Sequence, residues 1–216
     1  MAIRYQFEAD PDTWVYIWHI EEPDAYFIEH MPWDPRQLAW LDSIHPAKKR
    51  EYLASRFLIF KITGTLDSHL YKDESGKLLL VDSDKHISVS HSGDWTGIAV
   101  AEGPVGFDLQ ISSPKIQVIR SRFLSREEFE VLGQADREEH WINAWNAKEA
   151  VYKAHGKKGI HFAAQIRLDL QSSEKQSIRM THAALILSHE TRSYALFHGW
   201  LENFGWAIAL DKGPVG

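Results

Sequence analysis

Residues 95–106 read W-T-G-I-A-V-A-E-G-P-V-G, and residues 205–216 read G-W-A-I-A-L-D-K-G-P-V-G. Aligned at an offset of 110, they agree at six of twelve positions in a chain of 216 residues. Chance could match an I-A pair and a G-P-V-G. An offset of half the chain is also what duplication of an α+β half would leave behind. Two similar halves would place a cleft between them, a common position for a ligand.

Working outward from the repeat, the patterns alternate between strand and helix. Trp14–Ile20 reads W-V-Y-I-W-H-I, rich in β-formers, and predicts a strand. Ser43 is placed to cap a helix with Pro46 in its first turn; Leu53, Phe57 and Phe60 recur at helical spacing, and Gly64 stops it. Short β-type runs follow from Leu78 to Val105, punctuated by Asp82-Ser83-Asp84 and Ser92-Gly93-Asp94. V-G-F-D-L-Q, Val105–Gln110, predicts a further strand. Ser125 and Glu128 are spaced as a capping box for a helix reaching Leu132. Trp141–Lys153 predicts a stronger helix ended by Gly156, and Phe162–Leu210 returns to strands.

Composition excludes several classes. The chain is 44% hydrophobic with nine Trp, enough to bury a sizeable core. A net charge of −6 argues against a nucleic-acid or membrane-surface binder, while leaving room for a local basic pocket. The absence of Cys removes disulfides, thiolate metal sites and cysteine nucleophiles. Charged residues interrupt Met1–Trp18, which lacks the apolar core of a signal peptide, and no stretch approaches a bilayer span of about 20 residues. The expectation is a cytoplasmic protein.

Four clusters could carry chemistry, and each has a plain alternative. In W-N-A-K-E-A-V-Y-K, Trp145–Lys153, Glu149 and Lys153 share a helix face. They could form a surface ion pair, or with Lys148 a site for a phosphate–metal complex. Strand alternation puts Gly106, Asp108 and Gln110 on one face, which either meets water or buries a carboxylate that needs a partner or metal. Ser90 and His91, in S-V-S-H-S-G-D, could donate to a phosphate or be structural. Arg50, Arg56 and Lys77 could bind an anion or be solvated.

The order of these clusters resembles the 4′-phosphopantetheinyl transferases of the surfactin-synthetase-activating (Sfp-like) type. That family's signature is Gly-Ile/Val-Asp, roughly 40 residues, then an aromatic and Lys-Glu-Ala/Ser-x-x-Lys. Gly106-Phe107-Asp108 meets the first half; Trp145 and Lys148-Glu149-Ala150-Val151-Tyr152-Lys153 meet the second. The resemblance implies an α+β pseudo-dimer of two similar α/β halves, residues 1–105 and 106–216, with coenzyme A bound between them. It implies a monomeric holo-[acyl-carrier-protein] synthase: phosphopantetheine passes from coenzyme A to a serine of an apo acyl or peptidyl carrier protein, and 3′,5′-ADP leaves.

By the same resemblance Asp108 and Glu149, with Gln110 as a further ligand, would hold Mg²⁺ on the pyrophosphate. Glu149 is the candidate base for the serine hydroxyl, Lys153 stabilises the leaving group, and Asp108 completes the catalytic set. Lys148 and Lys153 would add positive charge at the phosphates, Ser90 and His91 would touch them, and Arg50, Arg56 and Lys77 would grip the 3′-phosphate or line the nucleotide site. No nucleic acid or membrane partner is implied.

The chain departs from the pattern at Gln110, where many members carry an acid, at Phe107 for Ile or Val, and at Leu78, where many follow Gly-Lys with Pro. Two other readings stand beside the transferase. One is a non-catalytic module of the same fold that binds coenzyme A or a carrier protein. The other is a metal-dependent phosphohydrolase, which would want more carboxylates or histidines than are gathered near these acids.

Overall fold

A strand, a series of helices ending in one of 18 residues, and a β-hairpin occur twice along the chain in the computed structural model. The structure describes residues 3–135, 137–172 and 178–215; Met1 and the last glycine of the repeat, Gly216, lie outside them. The contacts divide the chain into two units, Met1–Glu102 and Gly103–Gly216. Among the described residues, no helix is long and apolar enough to cross a membrane.

The first unit runs β1 (Tyr5–Asp10), β2 (Thr13–His19), α1 (Asp24–His30), α2 (Pro35–Leu41), α3 (Pro46–Thr63), a 3₁₀ turn at Asp67–His69, β3 (Leu70–Lys72), β4 (Leu78–Leu80), β5 (His86–Ser92) and β6 (Trp95–Ala101). Its main sheet has the antiparallel order β1-β2-β6-β5. The core beneath α3 is aromatic. Trp18 meets Phe27 edge-on with centroids 5.4 Å apart, and Phe27 meets Phe57 at 5.7 Å, geometry favoured by the ring quadrupoles.

The second unit runs β7 (Val105–Ile111), α4 (Pro114–Phe123), α5 (Arg126–Ala135), α6 (Glu138–His155), α7 (Phe162–Gln165), β8 (Ile166–Ser172), β9 (Ile178–Ile186), β10 (Thr191–Leu201) and β11 (Phe204–Val215). These five strands form one antiparallel sheet, β7-β11-β10-β9-β8.

The arrangement β2-β6-β5 in one sheet therefore recurs as β7-β11-β10 in the other. The first part of the sequence repeat falls on equivalent strands: Ile98 and Ala99 on β6 match Ile208 and Ala209 on β11, and all four are fully buried. The G-P-V-G part does not, since Val105 and Gly106 open β7 whereas Gly213–Val215 close β11. The long helices also match. Gly64 and Gly156 end α3 and α6 in the left-handed conformation, at φ 72° and 69°, each N–H bonding the carbonyl four residues back.

The predicted strands and helix stops are present, as is the Ser125/Glu128 capping box: Ser125 N–H donates to Glu128 Oε2 at 2.8 Å and Glu128 N–H to Ser125 Oγ at 3.2 Å. Helix α3 is capped differently from expectation. With Pro46 already in its first turn, the cap is His45, whose Nδ1 accepts from Ala47 N–H at 3.2 Å. Ser43 Oγ instead donates back to the Trp40 carbonyl.

Candidate active site

In the second unit, α6 lies across β7 and β11, and small residues set how closely it approaches. Ala147, Ala150 and Ala154 on the helix and Ala207 and Ala209 on the strand are buried. A Cβ on Gly106 would stand 1.8 Å from the Ala150 carbonyl oxygen and 2.6 Å from the Ala154 nitrogen. The face shared by Gly106, Asp108 and Gln110 is thus closed by the helix at Gly106 rather than turned to water along its length.

Two residues beyond that contact, Asp108 is 7% exposed. Its Oδ1 accepts from Lys153 Nζ at 2.7 Å, and the same ammonium donates to the Phe107 carbonyl at 3.0 Å. Glu149 stands one turn before Lys153 on α6. Burial first, and then the charge of Asp108, push its carboxyl up to about 7; Lys153 pulls in the other direction. Two carboxylates in one field, incompletely offset by an ammonium, form a centre that would gain from a further cation. Gln110, next along the same strand face, donates its Nε2 to the Ile111 carbonyl at 3.2 Å, which leaves its oxygen as the ligating atom.

No group of three or more metal-binding acids and histidines is gathered among the described residues. Two carboxylates and an amide oxygen nevertheless fit a hard divalent ion that takes its other ligands from phosphates and water.

Lys148 is placed differently from the expectation of phosphate contact. It is fully buried, donating to Glu128 Oε2 at 2.6 Å and to the carbonyls of Ile166 at 2.8 Å and Phe162 at 3.3 Å. Burial lowers its pKa to about 8, against the pull of Glu128. Glu128 also accepts the Leu168 N–H at 2.8 Å, so the pair ties α5, α6 and β8 together. Sequence pattern identified Glu128 only as a capping residue; its second role, 20 residues from Lys148, left no local signal.

Arg56, in the first unit, is the counterpart of Lys148: each stands eight residues before its terminal glycine. Arg56 is 8% exposed, paired with Asp67 through Nε, and its guanidinium lies 4.5 Å from the Tyr52 ring centroid. Tyr52 donates to Asp67 at 2.8 Å, and Gln37 also donates to it. Arg56 is therefore engaged in the interior. By the same alignment Asp108 corresponds to Ile17 and Glu149 to Phe57, so the acidic centre belongs to the second unit alone.

The remaining candidates are in the first unit. Arg50 is half-buried and donates through Nη2 to the Ile20 carbonyl at 3.0 Å. Ser90 is buried on β5, and the adjacent His91 is exposed, its Nε2 2.9 Å from Glu51 Oε2. That contact brings the end of β5 to the turn of α3 carrying Arg50. Lys77 closes the β3–β4 turn, its N–H bonding Asp73 Oδ1 at 2.9 Å, and its charge acts on His86 at the start of β5.

A two-unit α+β protein with a carboxylate–lysine centre on one strand–helix pair is the class defined by fold and geometry. Residues 104–210 match the family model of the 4′-phosphopantetheinyl transferase superfamily. The 4′-phosphopantetheinyl transferase psf-1 of Bacillus pumilus is 41% identical over 80 residues, 36% of this chain and 34% of that one. The 4′-phosphopantetheinyl transferase Sfp of Bacillus subtilis (strain 168) is 33% identical over 95 residues, 42% of each. These matches span less than half the length of either relative. Among solved structures, a holo-(acyl-carrier-protein) synthase from Bacillus anthracis str. Ames, in complex with CoA (3′,5′-ADP), covers 50% of this chain and 94% of its own at 19% identity. Its TM-score is 0.38, a likeness too distant to bear on fold or function.

Proposed function

We propose that this chain transfers the 4′-phosphopantetheine group of coenzyme A to a serine of an apo acyl or peptidyl carrier protein, releasing 3′,5′-ADP with the help of Mg²⁺. The observation that carries the reading is the convergence of Asp108, Glu149 and Lys153, inside the segment that matches the family model. A cytoplasmic monomer is part of the same reading.

In the reaction the serine oxygen forms a bond to the β-phosphorus of coenzyme A. The bond from that phosphorus to the bridging oxygen breaks, and 3′,5′-ADP departs with the electron pair. Asp108, Glu149 and the Gln110 oxygen would hold the magnesium ion, which when bound neutralises charge on the pyrophosphate. Glu149 is the candidate acceptor of the serine proton. Lys153, anchored by Asp108 and the Phe107 carbonyl, keeps its ammonium beside the acidic centre and stabilises the leaving phosphate.

Ser90, His91, Arg50 and Lys77 are assigned to the phosphates and nucleotide of coenzyme A. Lys148 and Arg56, engaged in buried ion pairs, are assigned to holding the two long helices in place. The test is transfer by Asp108→Ala and Glu149→Ala, each with circular dichroism to check the fold. Both should be inactive and folded; turnover close to the parent's in either would remove that residue from the centre.

A further inference from the structure

Asn146 is a buried group to which the reaction as described assigns no role. It is fully buried on α6, and neither Oδ1 nor Nδ2 has a hydrogen-bond partner among the described residues. Asn143, one turn earlier and 7% exposed, likewise has no partner for its Oδ1 among them. Both amides converge on Gly205: a Cβ there would lie 2.5 Å from Asn143 Oδ1 and 3.1 Å from Asn146 Nδ2. Leaving a buried amide unpaired forfeits its hydration without recompense. An alanine at 146 would be a better helix former with nothing to satisfy, so fold stability does not account for the choice.

The location of the amide suggests a reason. Gly205 is the cross-strand partner of Gln110, and Ala207, two residues on, is the partner of Asp108. On α6, Asn146 precedes Glu149 by three residues and Lys153 by seven, so all three lie on one stripe of the helix. The unpaired amide therefore belongs to the strand–helix seam that carries the acidic centre, beside the ligand that is an amide where many family members carry an acid.

We propose that Asn146 is a positioning residue for the cation centre: its carboxamide, above the Gly205–Gln110 pair, orients the Gln110 side chain toward an ion held by Asp108 and Glu149. Gln110 is neutral, so its value as a ligand depends on where its oxygen is held, and groups behind the ligands set that orientation. The proposal rests on the cation reading given above.

The test uses Mn²⁺ alone as the probe, titrated into the full chain and followed by loss of the free-ion electron paramagnetic resonance signal, with melting measured in parallel. Asn146→Ala and the similarly sized Asn146→Leu should weaken Mn²⁺ binding roughly 10- to 100-fold, the range typical of groups that orient metal ligands. Both should melt at or above the parent temperature, because an unsatisfied amide has been removed. In a Gln110→Ala background, Asn146→Ala should cause no further loss.

Parental Mn²⁺ affinity in both variants would overturn the proposal while leaving the cation reading intact. Equal losses in the presence and absence of Gln110 would overturn it too, as would failure of both variants to fold, which would make the amide a structural necessity. A parent protein that does not bind Mn²⁺ would overturn the cation reading itself.

Discussion

Replacing Gly106 with alanine tests the strand–helix contact on which the acidic centre depends. The new Cβ would stand 1.8 Å from the Ala150 carbonyl oxygen and 2.6 Å from the Ala154 nitrogen. These are backbone atoms of a helix, so no side chain can turn aside. Extending the shorter distance to an ordinary 3.4 Å contact requires about 1.6 Å of separation between β7 and α6. Overpacking of this kind costs about 1–3 kcal/mol, and a rigid backbone obstacle belongs at the upper end. At about 2–4 °C per kcal/mol for a chain of this size, melting should fall by roughly 6–12 °C. The same shift would draw Lys153 Nζ away from Asp108, now 2.7 Å apart, and misplacement by about 1 Å can cost 10²-fold in rate. Gly103→Ala is the matched control, since nothing lies within 4 Å of a Cβ there. The assay is a thermal melt of both variants with transfer measured at a permissive temperature. Melting of Gly106→Ala within about 2 °C of the parent would refute the close contact, because a shift that small corresponds to about 1 kcal/mol or less.

Other perturbations test separate parts of the account. Glu128→Ala removes the partner of the fully buried Lys148; breaking such a pair costs about 3–5 kcal/mol by urea denaturation, and Lys148→Met in the same background should restore part of the loss. His198, whose Nε2 accepts the Met180 N–H at 3.0 Å, is held by burial, and secondarily by Arg179 and His140, at a pKa of about 4. Between the unfolded value of about 6.5 and about 4, the unfolded chain takes a proton that the native imidazole refuses, so stability falls as pH drops through this window, by up to about 3 kcal/mol. His198→Gln should flatten the slope seen in denaturation at successive pH values. Lys153→Ala should lower turnover more than it weakens coenzyme A binding; a loss of affinity alone would make Lys153 a binding residue.

Elements bounded by strong local chemistry were legible in the sequence. Gly64 and Gly156 marked the ends of both long helices, Ser125 with Glu128 marked the start of α5, and alternation along Val105–Gln110 put Gly106, Asp108 and Gln110 on one face. The I-A part of the repeat fell on equivalent strands, β6 and β11. Helices α1, α2 and α4 were not anticipated, nor was the four-residue α7, Phe162–Gln165, at the start of the stretch read as strands. The first two have 7 residues and α4 has 10, too short for periodicity to stand out, and Val118 on α4 is 81% exposed, breaking the apolar stripe.

Long-range pairing was the other gap. Spacing identified Lys148 and Arg56 as cations but not as buried ones, because their partners Glu128 and Asp67 are separated from them by 20 and 11 residues. Glu51, the partner of His91, was missed for the same reason. That Gly106 must be glycine could be read from a family signature, whereas the cause, the α6 backbone, is visible only in three dimensions.

The most direct test of the account is mass spectrometry of an apo acyl carrier protein incubated with this protein, coenzyme A and Mg²⁺, with an EDTA control. The account predicts that the carrier gains one phosphopantetheine on its serine, only when metal is present, with 3′,5′-ADP released in equal amount. No gain on fatty-acid, polyketide or peptide carriers, from folded protein that still binds coenzyme A, would contradict it.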